Sequence, residues 1–257
     1  MLIRYLNKEK FEWLLSDKGI YIGSATSQSD KKEGIYDSNL ISRMLKTKVS
    51  GSEELWQKFD HLNDSLMNLN RKNCYLSSWF LGEEESPQMW NEYGAEGIAL
   101  ISTENLLISN LPEPIGNASL FYKVEYDTDK KHSAFNEPLK FKEDKYIHES
   151  EFRLVVDLNN YSHLTGFEKE RFGIVNVGGK PSFENEIITC RMSPEGIKQS
   201  KNVISKKGNG YVIHYNLIKL IKEIRLHPNY SKQEYIKVKE QLELVGLDIP
   251  IIRSSLA

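Results

Sequence analysis

The segment IHESEFRLVV, Ile147 to Val156, sets two glutamates two residues apart and follows them with an arginine. On an extended chain, side chains two apart share a face. Glu149, Glu151 and Arg153 would then point one way, and Phe152, Leu154 and Val156 the other. Close carboxylates raise each other's pKa and a nearby arginine opposes this, so such a trio can be tuned for acid–base or electrostatic work. The ordinary alternative is a half-buried strand with a charged, solvated outer face. Taken alone, the segment favours that alternative.

Two further features bear on the choice. Arg4 sits inside a short apolar run, LIRYL. An arginine there marks an edge position or an anchor for an anion. Ser77 and Ser78 sit in YLSSWF, between aromatic residues. Strand hydroxyls of this kind are mundane cross-strand pairs, or they hold a ribose or orient a carboxylate.

These residues need elements to position them. LIRYL reads as a first strand, Asn7 as the N-cap of a helix ending near Gly19, and GIYIGS as a second strand. ATSQSDKKEG reads as a polar loop. Ser52 caps a long helix from Glu53 to Asn70, with Leu55, Phe59, Leu62, Leu66 and Leu69 as its packing stripe. CYLSSWF is a strand, and Ser86–Pro87 opens a short helix that stops at Gly94. GIALIS, SLFYKVEY and Glu149–Val156 read as strands, with a polar stretch and a short helix before the last. VGGKP at 177–181 and KKGNGY at 206–211 signal hairpins. LIKLIKEIRLHP is a helix or strand, Ser231 opens a helix to Val245, and IPIIRSS is a final strand. The expectation is one α+β domain over residues 1–257, mostly antiparallel, with flanking helices.

The order of these pieces (arginine on the first strand, helix, strand, serines on a middle strand, Glu-x-Glu on a later one) resembles the arginine–serine–glutamate branch of the ADP-ribosyltransferase superfamily. LIRYL, YLSSWF and ESEF carry the resemblance, over roughly the first 160 residues. The middle motif departs from the family's Ser-Thr-Ser, so the acting serine stays open between Ser77 and Ser78. MWNEYGAEGIALI, ESEFRLV and IKEIRLHPN…IPIIRSS are also similar to a bacterial domain-of-unknown-function family, some members of which lie in defence or toxin loci.

The resemblance implies a split β-sheet core and NAD as substrate, with no metal. It implies that Glu151 stabilises the ribosyl cation and that Glu149 orients or deprotonates the acceptor. It gives Arg4 the phosphate or ribose oxygens, and Ser77 or Ser78 the nicotinamide ribose. Tyr93 or Trp90 would stack on nicotinamide, although Met89, Trp90 and Tyr93 also make an ordinary core-facing stripe. The acceptor would be RNA, DNA or protein, and the protein a toxin or antiphage effector restrained by an antitoxin. An NAD glycohydrolase and a non-catalytic ligand- or protein-binding module are the alternatives.

Bulk properties narrow the field. Lys+Arg 34 against Asp+Glu 36 argues against a generally basic nucleic-acid binder. Lys31/Lys32, Arg43/Lys46/Lys48 and Lys198/Lys201/Lys206/Lys207 read as solvated surface, and as the places to look if the acceptor is a nucleic acid. Cys74 and Cys190 make no disulfide framework and read as reduced core thiols. His61, His132, His148, His163, His214 and His227 form no pair at metal-ligand spacing. No Gly-x-Gly-x-x-Gly, Walker loop or Gly-x-Ser-x-Gly elbow occurs. Charge interrupts the N-terminal stretch, and no run approaches a membrane span, so a cytoplasmic protein is expected.

Overall fold

The computed structural model describes residues 1–167 and 194–257. The VGGKP hairpin signal and Cys190 lie outside the described residues. The chain begins β1 (Leu2–Leu6), α1 (Lys8–Asp17), β2 (Ile20–Ser24), α2 (Leu40–Lys46), α3 (Glu53–Asn73) and β3 (Cys74–Leu81). It continues with α4 (Pro87–Tyr93), β4 (Ile98–Ser102), α5 (Glu104–Ser109), α6 (Glu113–Gly116), β5 (Ser119–Lys123) and β6 (Glu125–Tyr126). Then come α7 (Thr128–Ser133), β7 (Phe141–Lys142), β8 (Glu151–Asp157), α8 (Leu158–Thr165) and α9 (Pro194–Val203). The described chain ends with β9 (Ile204–Lys207), β10 (Gly210–Ile213), α10 (Leu217–Leu220), β11 (Glu223–Leu226), α11 (Lys232–Val245) and β12 (Ile251–Arg253). Short 3-10 segments cover Ala25–Ser27 and Asp144–Glu149.

Ten strands make one mostly antiparallel sheet in the order β12-β11-β4-β1-β3-β2-β10-β9, with β8 on the other edge of β3 and β5 beyond it. The architecture is α+β. β6 and β7 form a separate short parallel ladder. The edges of β3 differ. Along one, β8 pairs from Cys74↔Asp157 to Phe80↔Glu151. Along the other, β1 pairs only at Leu2↔Leu81 and Ile3↔Phe80, and β2 only at Gly23↔Leu76 and Ser24↔Tyr75. Between those contacts, Ser77, Ser78 and Trp79 have no ladder partner on that edge, and the sheet opens.

The main core packs Leu2, Leu6, Phe11, Trp79, Phe152, Leu154 and Val156 against residues of the later strands and helices. A smaller cluster on the other face joins Ile3, Tyr5, Met89, Trp90, Ala99 and Ile101. Local signals explain most boundaries. The Asn7 side chain accepts from the Lys10 amide at 2.9 Å. Ser231 and Glu234 close a capping box at α11. LIKLIKEIRLHP divides into both alternatives, α10 and then β11.

Two expectations need correction. The leucine stripe of α3 is not its packing face: α3 instead buries Trp56, Asn63, Met67 and Asn73. The helix is apolar on more than one side, and the side carrying the larger Trp56 faces inward. Asn63 is tolerated there because its amide donates to the Ser38 carbonyl. The second correction concerns Glu149. It ends the Asp144–Glu149 turn, Ser150 follows at φ 38°, and β8 starts only at Glu151. The chain kinks between the two glutamates, so they do not stand on one strand.

Among the described residues, no helix is long and apolar enough to cross a membrane.

Candidate active-site cleft

The charged face of β8 is covered, not solvated. Glu151 is 5% and Arg153 1% exposed, and Glu149 is 4% exposed. The β6–β7 ladder lies over this face, fastened by Val124 N–H to the Glu151 carbonyl at 2.9 Å and by Glu151 N–H to the Tyr126 hydroxyl at 2.7 Å. The loop after β2 covers the rest. Arg71 holds it through the Glu33 and Lys31 carbonyls, and the buried Lys131–Asp30 pair holds it at 3.2 Å.

Burying charge is costly unless every charge is partnered, and here the partners alternate in sign. The Arg153 guanidinium donates to both oxygens of Glu33, at 2.8 and 3.0 Å, and to both of Glu151, at 2.6 and 3.1 Å. The Lys142 ammonium reaches Glu151 at 2.6 Å and also contacts Glu149. The Tyr93 hydroxyl donates to Glu149 at 2.9 Å.

The two glutamates are driven apart in acidity. Burial pushes Glu149 up to about 7, helped by its bond to Glu151 and opposed by Lys142. Burial also pushes Glu151 up, but the charge of Arg153, the bond to Glu149 and the Lys142 ammonium outweigh it and hold this carboxyl well below the usual range. Burial and the Glu149 charge raise the Tyr93 phenol. The charges around the pair favour the carboxylate of Glu151 and disfavour that of Glu149.

A cleft of about 480 Å³ runs from this network through the opening beside β3, a volume in the range of small-molecule sites. Glu149, Glu151, Lys142, Ser78 and Tyr93 line it, and so do Arg4, Lys10, Trp13 and Tyr21. Arg4 spans the opening: its guanidinium donates to the Ser77 hydroxyl and, at 2.7 Å, to the Tyr21 carbonyl. The Trp79 indole also donates to Ser77, at 3.0 Å. Burial lowers Arg4 to about 10, so it stays charged at neutral pH. Among the described residues no carboxylate forms an ion pair with Arg4, nor with Lys10 at the exposed rim.

The geometry separates the two serines. Ser78 sits opposite Arg153 in the ladder, on the face of Glu151. Ser77 points to the other face and fastens Arg4. Trp90 does not join the cleft. It is 2% exposed, packs edge-to-face on Tyr5 and donates its indole N–H to Glu85 at 2.9 Å. Tyr93, one helical turn on, does line the cleft, but as a partner of Glu149.

Sequence reasoning missed Glu33, Lys142 and Lys10. Glu33 sits in a polar loop with nothing to mark it as buried. Lys142 lies in a stretch dense with lysines. Lys10 is one of two lysines on α1, and only its rim position singles it out. Glu92, His148 and Glu149 each bring one ligand-type atom within 4.8 Å of the others. Glu149 in that group already accepts from Tyr93 and Lys142.

No family model matches the chain, and no curated protein or solved structure matches it either.

Proposed function

We propose that the cleft binds NAD and that the protein transfers ADP-ribose from it to an acceptor. One observation carries this reading: a single cleft joins two carboxylates of opposed acidity to an arginine that no carboxylate among the described residues neutralises. Neighbouring carboxylates tuned apart are the signature of divided acid–base and charge-stabilising roles. A half-buried guanidinium bonded, among the described residues, only to neutral acceptors is suited to an anion, and phosphate oxygens match its planar donors. The opening beside β3 also agrees with the split sheet that the ADP-ribosyltransferase resemblance implies.

Breaking the bond between nicotinamide and ribose develops positive charge on the sugar, as in glycoside hydrolysis. Glu151, held toward its carboxylate form by Arg153 and Lys142, faces that charge. Glu149 in its carboxylate form takes the proton of the attacking acceptor. Arg4 and Lys10 hold the two phosphates. Ser77 keeps Arg4 in place, Ser78 borders the carboxylates, and Tyr93 fixes Glu149. The acceptor is a protein, RNA or DNA side group. Water in its place would make the enzyme a glycohydrolase. A toxin or antiphage role, with an antitoxin partner, rests on the resemblance alone.

The direct test is incubation of the protein and a whole-cell extract with NAD labelled on its adenine. Label on protein or nucleic acid is the expected result. Free ADP-ribose as the sole product points to hydrolysis, and untouched NAD sinks both versions. Lys10→Ala should raise KM for NAD by about tenfold with kcat unchanged, because Lys10 would bind ground and transition states alike. Steady-state kinetics check this.

Glu149 sets the pH dependence. The cluster of Glu33, Glu149 and Glu151 with Lys142 and Arg153 carries one net negative charge when Glu149 is ionised and none when it is protonated. Turnover should therefore rise with pH through about 7, and Glu149→Gln should flatten that limb. Stability should move the other way. A carboxyl raised in the fold contributes fully below its unfolded pKa, and the contribution is lost as pH climbs through the folded value. The urea midpoint should fall between roughly pH 5 and pH 8, and less so in Glu149→Gln.

A further inference from the structure

Leu55, Phe59, Leu62, Leu66 and Leu69 recur on α3 at alternating intervals of four and three residues. That spacing is the seam of a two-stranded coiled coil. Among the described residues nothing covers its four leucines, and Phe59 is half-buried. Leu55 and Leu62 are each 54% exposed, Leu66 45% and Leu69 43%. The helix holds to its own molecule through another face, which carries Trp56, Asn63 and Met67. Single exposed leucines are ordinary. A line of four along about 21 Å of one helix is a continuous apolar strip.

The charges at its ends say what fits it. The first turn of α3 carries Glu53 and Glu54, whose side chains are 74% and 75% exposed. Their partners within the chain, Lys46 and Lys58, form solvent-exposed pairs that contribute little and exchange readily. The last turn carries Arg71 and Lys72. Arg71 is engaged with the loop after β2, whereas Lys72 is exposed. A seam acidic at one end and basic at the other is complementary to its own reverse. Two-fold symmetry produces that arrangement, because it turns the same strip back on itself.

We propose that α3 is a self-association surface, on which α3 of a second copy lies antiparallel with leucines along the centre. Glu54 of each copy then lies on the same flank as Lys72 of the other and meets it. The seam is small against a standard interface of roughly 800 Å² per partner, so the dimer is a weak one, formed at about micromolar concentrations or above. This inference does not depend on the chemistry of the cleft.

Sedimentation equilibrium of the full chain tests it, up to about 100 µM, the range in which a weak interface becomes populated. A monomer–dimer equilibrium is expected. Leu62→Lys/Leu66→Lys should abolish it with the circular dichroism and melting temperature unchanged, since both side chains are already exposed. Charge reversal tests the orientation. Glu54→Lys alone sets a lysine against Lys72, and Lys72→Glu alone sets a glutamate against Glu54, so each variant should dimerise less than the parent. Mixed together, the two variants are complementary at both ends, and a heterodimer should form. A strictly monomeric parent overturns the proposal. So does a dimer indifferent to the leucine substitutions, and so does a mixture that fails to pair.

Discussion

Glu151→Gln is expected to lower NAD turnover by a factor on the order of 10² to 10³, with KM little changed. Gln keeps the shape of the side chain and removes its charge. The loss falls on kcat because the charge Glu151 opposes exists only as the glycosidic bond breaks. The fold should survive. Arg153 keeps both oxygens of Glu33, and Lys142 keeps Glu149. Glu149 also loses a like-charged neighbour, so any residual activity should show its acid limb at lower pH. Turnover and a thermal melt, measured together, decide the matter. A variant that consumes NAD as fast as the parent ends the assignment of Glu151, whatever the melt shows.

Arg153→Met should have the largest effect on stability, about 3–5 kcal/mol. Arg153 is the common partner of Glu33 and Glu151, which are 1% and 5% exposed. Methionine fills part of the space but leaves Glu33 buried without its cation. Glu151 retains Lys142 and its bond to Glu149. Urea unfolding gives the loss. Adding Glu33→Gln to Arg153→Met should recover part of it, because the stranded charge is then gone, and the double-mutant cycle should show strong coupling. A near-neutral Arg153→Met would mean that packing, and not the ion network, holds the β6–β7 ladder in place.

The parts of the fold legible in the sequence are those coded locally. Asn7, Ser52, Ser86 and Ser231 each cap the helix expected of them, because a cap is a contact between near neighbours. Short apolar runs mark β1, β3, β4 and β8 for the same reason. What covers an element is not coded in it. The pattern of ESEFRLVV is equally that of a solvated strand, and only the ladder and loop laid over it bury the charges. Glu33 reaches Arg153 across 120 residues of sequence, and no local pattern records such a meeting. Trp90 and Tyr93 show the limit from the other side. Both were candidates as aromatics of one short helix. Packing sent one into the core beside Tyr5 and the other to Glu149.

The unequal edges of β3 also bear on how the molecule is made. Arg4 meets Ser77 across 73 residues, and Phe80 meets Glu151 across a similar span on the opposite edge. Pairings this distant form late, because a long loop must close before they return any stabilisation. A chain still emerging from the ribosome can lay down α1 and α3, but it has no cleft until β8 has been synthesised and has docked. Arg4, made first, waits for a carboxylate made about 150 residues later, as a count along the chain shows. The nascent polypeptide therefore lacks both glutamates of the cleft until β8 zips onto β3, and the lining is completed only when the later strands bring Asn209 to it.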